Sequence, residues 1–381
     1  MPHPERRAGI TDLGGVRRDI GRMTKLIAGV VAGCVALTPV TPAFAAAAPP
    51  SPQSRLDLLT TEDGMAGALG QVRSPGGATA TWRSGTAERG TGKPMIGPQG
   101  RFRIASGSKP IIAATVLRLV DEKKIGLDAP VERYLPGVVR GTGDGAGIDG
   151  REITVRMLLR QTSGLPEFLN AIKWKEPFPD FLRVALTLKP TPRGSFAYAN
   201  TNYLVLGMIV AAVTGKDFRQ ASRDLILEPY GMRNTYWPAK GDHGIRGPHA
   251  HTYGTHPGRP GEGEVDLTDQ LPTYAFGASG GLISTPEDLN RFWRKAPLSK
   301  MMAQPVKVEE EGWPADARYG YGVARMRSGC GDAYFAAGDM PGAAVISGRD
   351  RAGRAATVYT TGVPENRQHL IDAFVAAMCG R

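Results

Sequence analysis

Cysteine is nearly missing from this chain of 381 residues: there are three, at Cys34, Cys330 and Cys379. The six histidines therefore have little thiolate company. Four of them, His243, His249, His251 and His256, crowd a Gly/Pro-rich loop with no well-spaced acidic partner. Such a loop is a poor cage for zinc, and no metal site is expected. No repeat or low-complexity block dominates. The apolar run from Leu26 to Leu37 is too short to cross a membrane and stay there. The net charge of +11 is spread thinly, without a basic helix or interleaved aromatic residues, which argues against nucleic acid as a partner.

What is present begins with a leader. Met23-Thr24-Lys25 opens the apolar run, which leads to the small-x-small site Ala43-Phe44-Ala45. Residues 1–45 read as a leader and secretory signal peptide, with Met23 as a second candidate start. Val31-Ala32-Gly33-Cys34 competes as a lipoprotein box, but Val35-Ala36-Leu37 continues the apolar run where a lipoprotein turns polar. The expected location is the secreted, cell-wall space, with a Cys34 anchor as the alternative. Removing residues 1–45 takes away six Lys/Arg and three Asp/Glu and leaves a net charge of +8, suited to weak attraction to an anionic wall. Residues 46–55 are Ala/Pro/Ser-rich and read as a disordered tether. In an exported chain the remaining pair, Cys330 and Cys379, suggests one disulfide; two buried free thiols are the other reading.

Organisation follows from hydrophobic period. Leu69–Val72 and Ala78–Arg83 alternate as strands around a Pro75-Gly76-Gly77 turn. From Pro110 to about Gln270 the text is mostly helical with long loops, including an apolar run Tyr203–Val213 closed by Gly215. Gly342–Ser347 and Arg354–Thr361 flank a hairpin turn, and Pro364–Cys379 sets Leu370, Ile371, Phe374, Val375 and Met378 on one helical face. Strands at both ends enclosing a helical middle predict an α/β (α+β) architecture: an antiparallel sheet flanked by helices, with an inserted all-helical lobe. The domain spans 56–381, with the sheet lobe in about 56–105 and 271–381 and the helical lobe in about 106–270.

The chemistry-bearing patterns are Ser106-Gly107-Ser108-Lys109 and Tyr198-Ala199-Asn200, each the only instance of its spacing in the chain. Ser106 stands just before a helical stretch with Pro110 in its first turn. Residues three apart share a helix face, so Ser106 Oγ and Lys109 Nζ can meet. A buried lysine near a helix N-terminus has its ammonium form disfavoured by desolvation and by the dipole, and so can take the serine's proton. A solvated N-cap with an exposed lysine is the plain alternative. A phenol beside a lysine ammonium would have a lowered pKa, suited to proton transfer; a core tyrosine and a turn asparagine are the plain reading of Tyr198 and Asn200.

Phe102–Lys109, Leu119–Val131, Tyr134–Gly137, Leu158–Leu165, Tyr198–Tyr203 and Ala278–Thr285 together resemble the serine β-lactamase and D-Ala-D-Ala carboxypeptidase (penicillin-binding protein, class C β-lactamase-like) family, from about Leu56 to the C-terminus. The resemblance implies a sheet covered by helices, with the site in the cleft between lobes. It implies Ser106 as nucleophile, Lys109 as base, Tyr198 as proton carrier and Asn200 as holder of the substrate amide, with no cofactor. It implies small-molecule or peptidoglycan-peptide substrates and the pairing of Cys330 with Cys379. A monomer is expected, with no integral membrane span after processing.

The chain departs from the family at the third motif. Where members have Lys or His, then often Thr, then Gly, this sequence reads Ala336-Ala337-Gly338, followed by Asp339. Gly338 is kept, and the backbone N–H groups of Ser106 and Asp339 would form the oxyanion hole. A substrate carboxylate loses two partners; Arg325 or Arg327, on the preceding strand, is the candidate replacement. Gln161 stands where the family has His, in a position that reads as structural. Gly277-Ala278-Ser279-Gly280-Gly281 has nucleophile-elbow spacing, but the next helix signal comes five residues after the serine, too late for an elbow. The expected activity is carboxypeptidase-like, through an acyl-enzyme on Ser106. β-Lactamase, esterase and D-amino-acid amidase activity are other chemistries of the same site. A catalytically weakened binding protein is the reading from a different class.

Overall fold

The computed structural model describes residues 51–380. The leader, the Cys34 box and the start at Met23 lie outside the described residues. Eight strands form one antiparallel sheet in the order Thr79–Gly85, Gly67–Arg73, Ala355–Thr360, Ala343–Asp350, Gly331–Met340, Ala324–Ser328, Arg318–Tyr319 and Val306–Lys307. The first hairpin pairs with the last strand, Ala68 opposite Thr360 and Arg73 opposite Ala355, so both ends of the described chain close the sheet.

Each sheet face is covered because alternate strand residues are apolar on both sides. On one face Leu56 and Leu59 of the helix Pro52–Thr61 meet Leu370, Phe374 and Met378 of the closing helix Arg367–Cys379, over Ala344, Ile346 and Val358. On the other, Trp293 of the helix Pro286–Lys295 packs on the sheet and donates to Ser347 Oγ at 2.9 Å. Among the described residues no helix is long and apolar enough to cross a membrane.

The tether expected at 46–55 needs correction. Residues 52–55 begin a helix, capped by Ser51 Oγ accepting from Ser54 N at 3.1 Å, with Pro52 in the first turn. Tertiary packing of Leu56 and Leu59 holds what composition alone read as coil. The apolar run after Asn200 forms the helix Asn200–Thr214, buried along most of its length and ended by Gly215 at φ 66°. The disulfide Cys330–Cys379 is formed and fastens the start of the strand Gly331–Met340 to the end of the closing helix. By loop length it contributes about 4 kcal/mol.

Candidate active site

Ser106 lies in a 3-10 turn, Ala105–Ser108, which runs directly into the helix Lys109–Asp121. Ala105 enters that turn at φ 44°, a conformation that costs a non-glycine residue on the order of 1–3 kcal/mol and persists only where its surroundings enforce it. The three-residue spacing brings Lys109 Nζ to 2.9 Å from Ser106 Oγ. Ser106 is partly exposed to the cleft, whereas Lys109 is 1 % exposed.

Lys109 has two further acceptors, Asn200 Oδ1 at 2.6 Å and the Ser279 carbonyl at 2.7 Å. Burial pulls its pKa down to about 7, against the opposing pull of the Glu167 carboxylate. A neutral amine has two N–H groups and one lone pair. With the N–H groups on Asn200 and Ser279, the lone pair faces the Ser106 hydroxyl.

Tyr198 stands with its ring centroid 4.9 Å from Lys109 Nζ. The lowered phenol pKa expected from the sequence is not found. Burial raises it well above the usual phenol range, and the nearby Tyr319, Glu167 and Asp339 add to the rise, while a hydrogen bond with Ser106 draws it back. The same burial lowers the Lys109 pKa to about 7, so near neutral pH the ammonium that would have stabilised a phenolate is only partly present.

Asn200 opens its helix, and its amide is already committed on both sides. Oδ1 accepts from Lys109, while Nδ2 and the backbone N–H donate to Glu167 Oε2 at 2.9 and 2.7 Å. Glu167 also accepts from Leu169 N at 2.9 Å. Gln161 is structural as expected: its carbonyl accepts from Ala197 N at 2.9 Å and its Oε1 from Ala199 N at 3.2 Å, pinning the loop that carries Tyr198. Ser279 is fully buried, donates its hydroxyl to Phe276 O at 2.7 Å, and serves the site through its carbonyl.

The opposite wall is the strand Gly331–Met340. A Cβ on Gly338 would sit 2.2 Å from Ile104 O, 2.8 Å from Gly107 N and 3.0 Å from Ser106 N. Glycine is therefore what lets this strand lie against the turn that carries Ser106. Ala336, Ala337 and Asp339 line the same cavity, of about 570 Å³. Phe196, Tyr198, Trp313 and Tyr319 form an aromatic cluster at its side, with centroids 5.4–6.3 Å apart.

Arg325 and Arg327 do not replace the missing cation. Their strand pairs with Gly331–Phe335, short of Ala336, and alternation turns Ala324 rather than Arg325 toward the cavity. Arg325 instead pairs with Asp332 at 3.1 Å and Asp316 at 3.4 Å, and Arg327 N donates to Asp316. The guanidinium at the cleft is Arg367, the first residue of the closing helix, ion-paired with Asp339. Burial raises the Asp339 carboxyl pKa while Arg367 lowers it. Glu167, Ser279 and Arg367 were missed from sequence. Only Glu167 carried a local signal, following directly on Ser163-Gly164-Leu165-Pro166.

A serine and a buried lysine at the mouth of a cleft between a sheet and a helical lobe define a class, the serine acyl hydrolases of two-lobed fold. Residues 58–377 match the Beta-lactamase family, and the chain belongs to that family. It is 31 % identical to the esterase EstB of Burkholderia gladioli over 47 % of this chain and 48 % of that protein. It is 29 % identical to penicillin-binding protein 4 of Amycolatopsis lactamdurans over 64 % of this chain and 62 % of that one. The matches thus span about half to two thirds of those curated relatives. A D-stereospecific amidohydrolase from a Streptomyces species superimposes with a TM-score of 0.71 at 28 % identity, covering 87 % of this chain and 98 % of that chain.

Proposed function

We propose that this chain is an exported serine hydrolase that forms an acyl-enzyme on Ser106 and prefers esters and amides with no carboxylate beside the scissile bond. The observation that carries the chemistry is the Lys109 arrangement: Nζ lies 2.9 Å from Ser106 Oγ, with Asn200 Oδ1 and the Ser279 carbonyl placed to take the two N–H groups of the neutral amine and leave its lone pair for the serine proton. As Ser106 Oγ adds to the carbonyl carbon, its proton passes to Lys109 Nζ. Tyr198 gives its phenolic proton to the leaving group and recovers one from Lys109. Water then repeats the sequence in reverse and frees Ser106. The backbone N–H groups of Ser106 and Asp339 are the proposed oxyanion donors.

The substrate preference rests on the strand wall. Ala336 and Ala337 offer no charge, and Glu167, Glu310 and Asp339 line the cavity. An anion is poorly matched there, whereas an apolar or aromatic acyl group finds the Trp313 cluster. Penicillin-binding relatives favour a narrower reading, carboxypeptidase action on cell-wall peptides, and the bare strand weighs against it. The disulfide is consistent with export to an oxidising compartment.

Intact-mass kinetics with a simple acyl ester and with a penicillin test the proposal. The ester should acylate the protein at least about tenfold faster, the value of one lost charge-assisted hydrogen bond. Ser106→Ala should abolish both adducts. Labelling that survives Ser106→Ala, or equal rates for the two probes, would overturn it.

A further inference from the structure

Two cations line the cleft, Lys109 and Arg367, and only one of them can meet a substrate anion. Lys109 is buried and holds Ser106, Asn200 and the Ser279 carbonyl. Arg367 is different: its side chain is 51 % exposed and reaches from the start of the closing helix to the cleft strand. There Nη1 donates to Asp339 Oδ2. Asp339 stands directly after Gly338, beside the turn that carries Ser106. Its carboxylate occupies the place at the guanidinium that a substrate carboxylate would otherwise take.

We propose that Asp339 is a built-in occupant of Arg367, and that this pair, more than the loss of polar groups at Ala336 and Ala337, sets the cleft against anionic substrates. The inference rests on the cleft being the substrate site. A guanidinium–carboxylate pair satisfies the planar donors of arginine, and a second anion must either displace Asp339 or bind beside it. Displacement leaves the Asp339 carboxylate, 35 % exposed, without its partner, and an incoming carboxylate must offset that loss before it gains anything at Arg367. Asp339 is thus a positioning residue that acts through Arg367. Selectivity is lodged in one side chain whose replacement should admit anions with no new cation introduced.

The test compares two thioesters of benzoylglycine that differ only in the leaving group, thioglycolate (anionic) and thioglycolamide (neutral). Asp339→Asn keeps the side-chain shape and removes its charge. It should raise the kcat/KM ratio of anionic to neutral thioester about tenfold. In a Ser106→Ala background, calorimetric affinity for the anionic thioester should rise by a similar factor. Adding Arg367→Ala should remove most of the gain in both measurements. An unchanged ratio in Asp339→Asn overturns the proposal. So does a gain that persists undiminished without Arg367, which would mark simple removal of a negative charge. If the wild-type protein turns over neither thioester, the catalytic reading fails, and the binding measurement still decides the role of Asp339.

Discussion

The two walls of the cleft are built on opposite principles. On the helical wall the polar groups are interlocked: Lys109 Nζ lies within hydrogen-bond reach of Ser106, Asn200 and the Ser279 carbonyl, Asn200 bridges Lys109 and Glu167, and Gln161 ties down the loop around Tyr198 through its oxygens. On the strand wall Gly338, Ala336 and Ala337 present little beyond backbone, and the one ion pair is partly exposed. A preorganised, desolvated wall can move a proton without reorganising, whereas a bare wall with one closed ion pair mainly decides which substrates stay. If the proposed function holds, reaction chemistry and substrate choice are separable in this protein. Changes to one wall should alter rates for all substrates, and changes to the other should alter their ratios.

The severest break in that separation is expected at Gly338, where the walls touch. Gly338→Ala places a methyl group 2.2 Å from Ile104 O, and either the strand or the Ser106 turn must move. A displacement of about 1 Å costs on the order of a hundredfold in rate. Ester kcat/KM should fall by about that factor while circular dichroism and the disulfide are retained. Activity within about threefold of wild type would show that the two walls are not rigidly apposed.

What could be read before the structure divides along the same line. Ser106 and Lys109 were legible because three residues on one helical turn fix a contact locally. Tyr198 and Asn200 were legible as a motif, although the direction of the Tyr198 pKa shift was not, since it depends on burial in the folded protein, to which the distant Tyr319 adds electrostatically. The Ser279 carbonyl leaves no mark in a side-chain pattern. Arg367 lies 28 residues from Asp339, and their meeting depends on how the closing helix docks on the sheet. Arg325 was placed on the right strand, but its face and the strand's pairing partner decide its role. The order of the sheet was legible in outline because strand periodicity at both chain ends leaves few ways to bury them. The helix Pro52–Thr61 was hidden because its stability comes from partners near the other end of the chain.

A milder test belongs to the helical wall alone. With Lys109 titrating near pH 7, its neutral form grows as pH rises through that value. Tyr198 is held protonated by burial and contributes no step below the ordinary phenol range. Acylation by a neutral ester should therefore rise about tenfold per pH unit below about pH 7 and level off above it. Its profile should be shared by substrates with different leaving groups. A limb centred near the ordinary lysine range would show that burial does not lower the Lys109 pKa and that it is not a neutral base near pH 7.

The smallest effect is expected at Arg325, which sharpens the comparison by what it leaves alone. Its guanidinium pairs with Asp332 and Asp316 on the side of the strand away from the cavity, and Asp332 keeps a second partner in Arg351 at 3.1 Å. The Arg325 and Asp332 side chains are only 18 % and 20 % exposed, but Asp332 keeps Arg351, so little charge is left unpaired and the replacement costs about 1 kcal/mol. Arg325→Ala should lower thermal stability slightly, with ester acylation within about twofold of wild type and the ester-to-penicillin ratio unchanged. Asp339→Asn, which removes a charge from an ion pair at the cleft itself, should shift substrate preference with comparable stability. If Arg325→Ala shifted that preference as much, the field of the whole strand rather than the Arg367 pair would govern the choice of substrate.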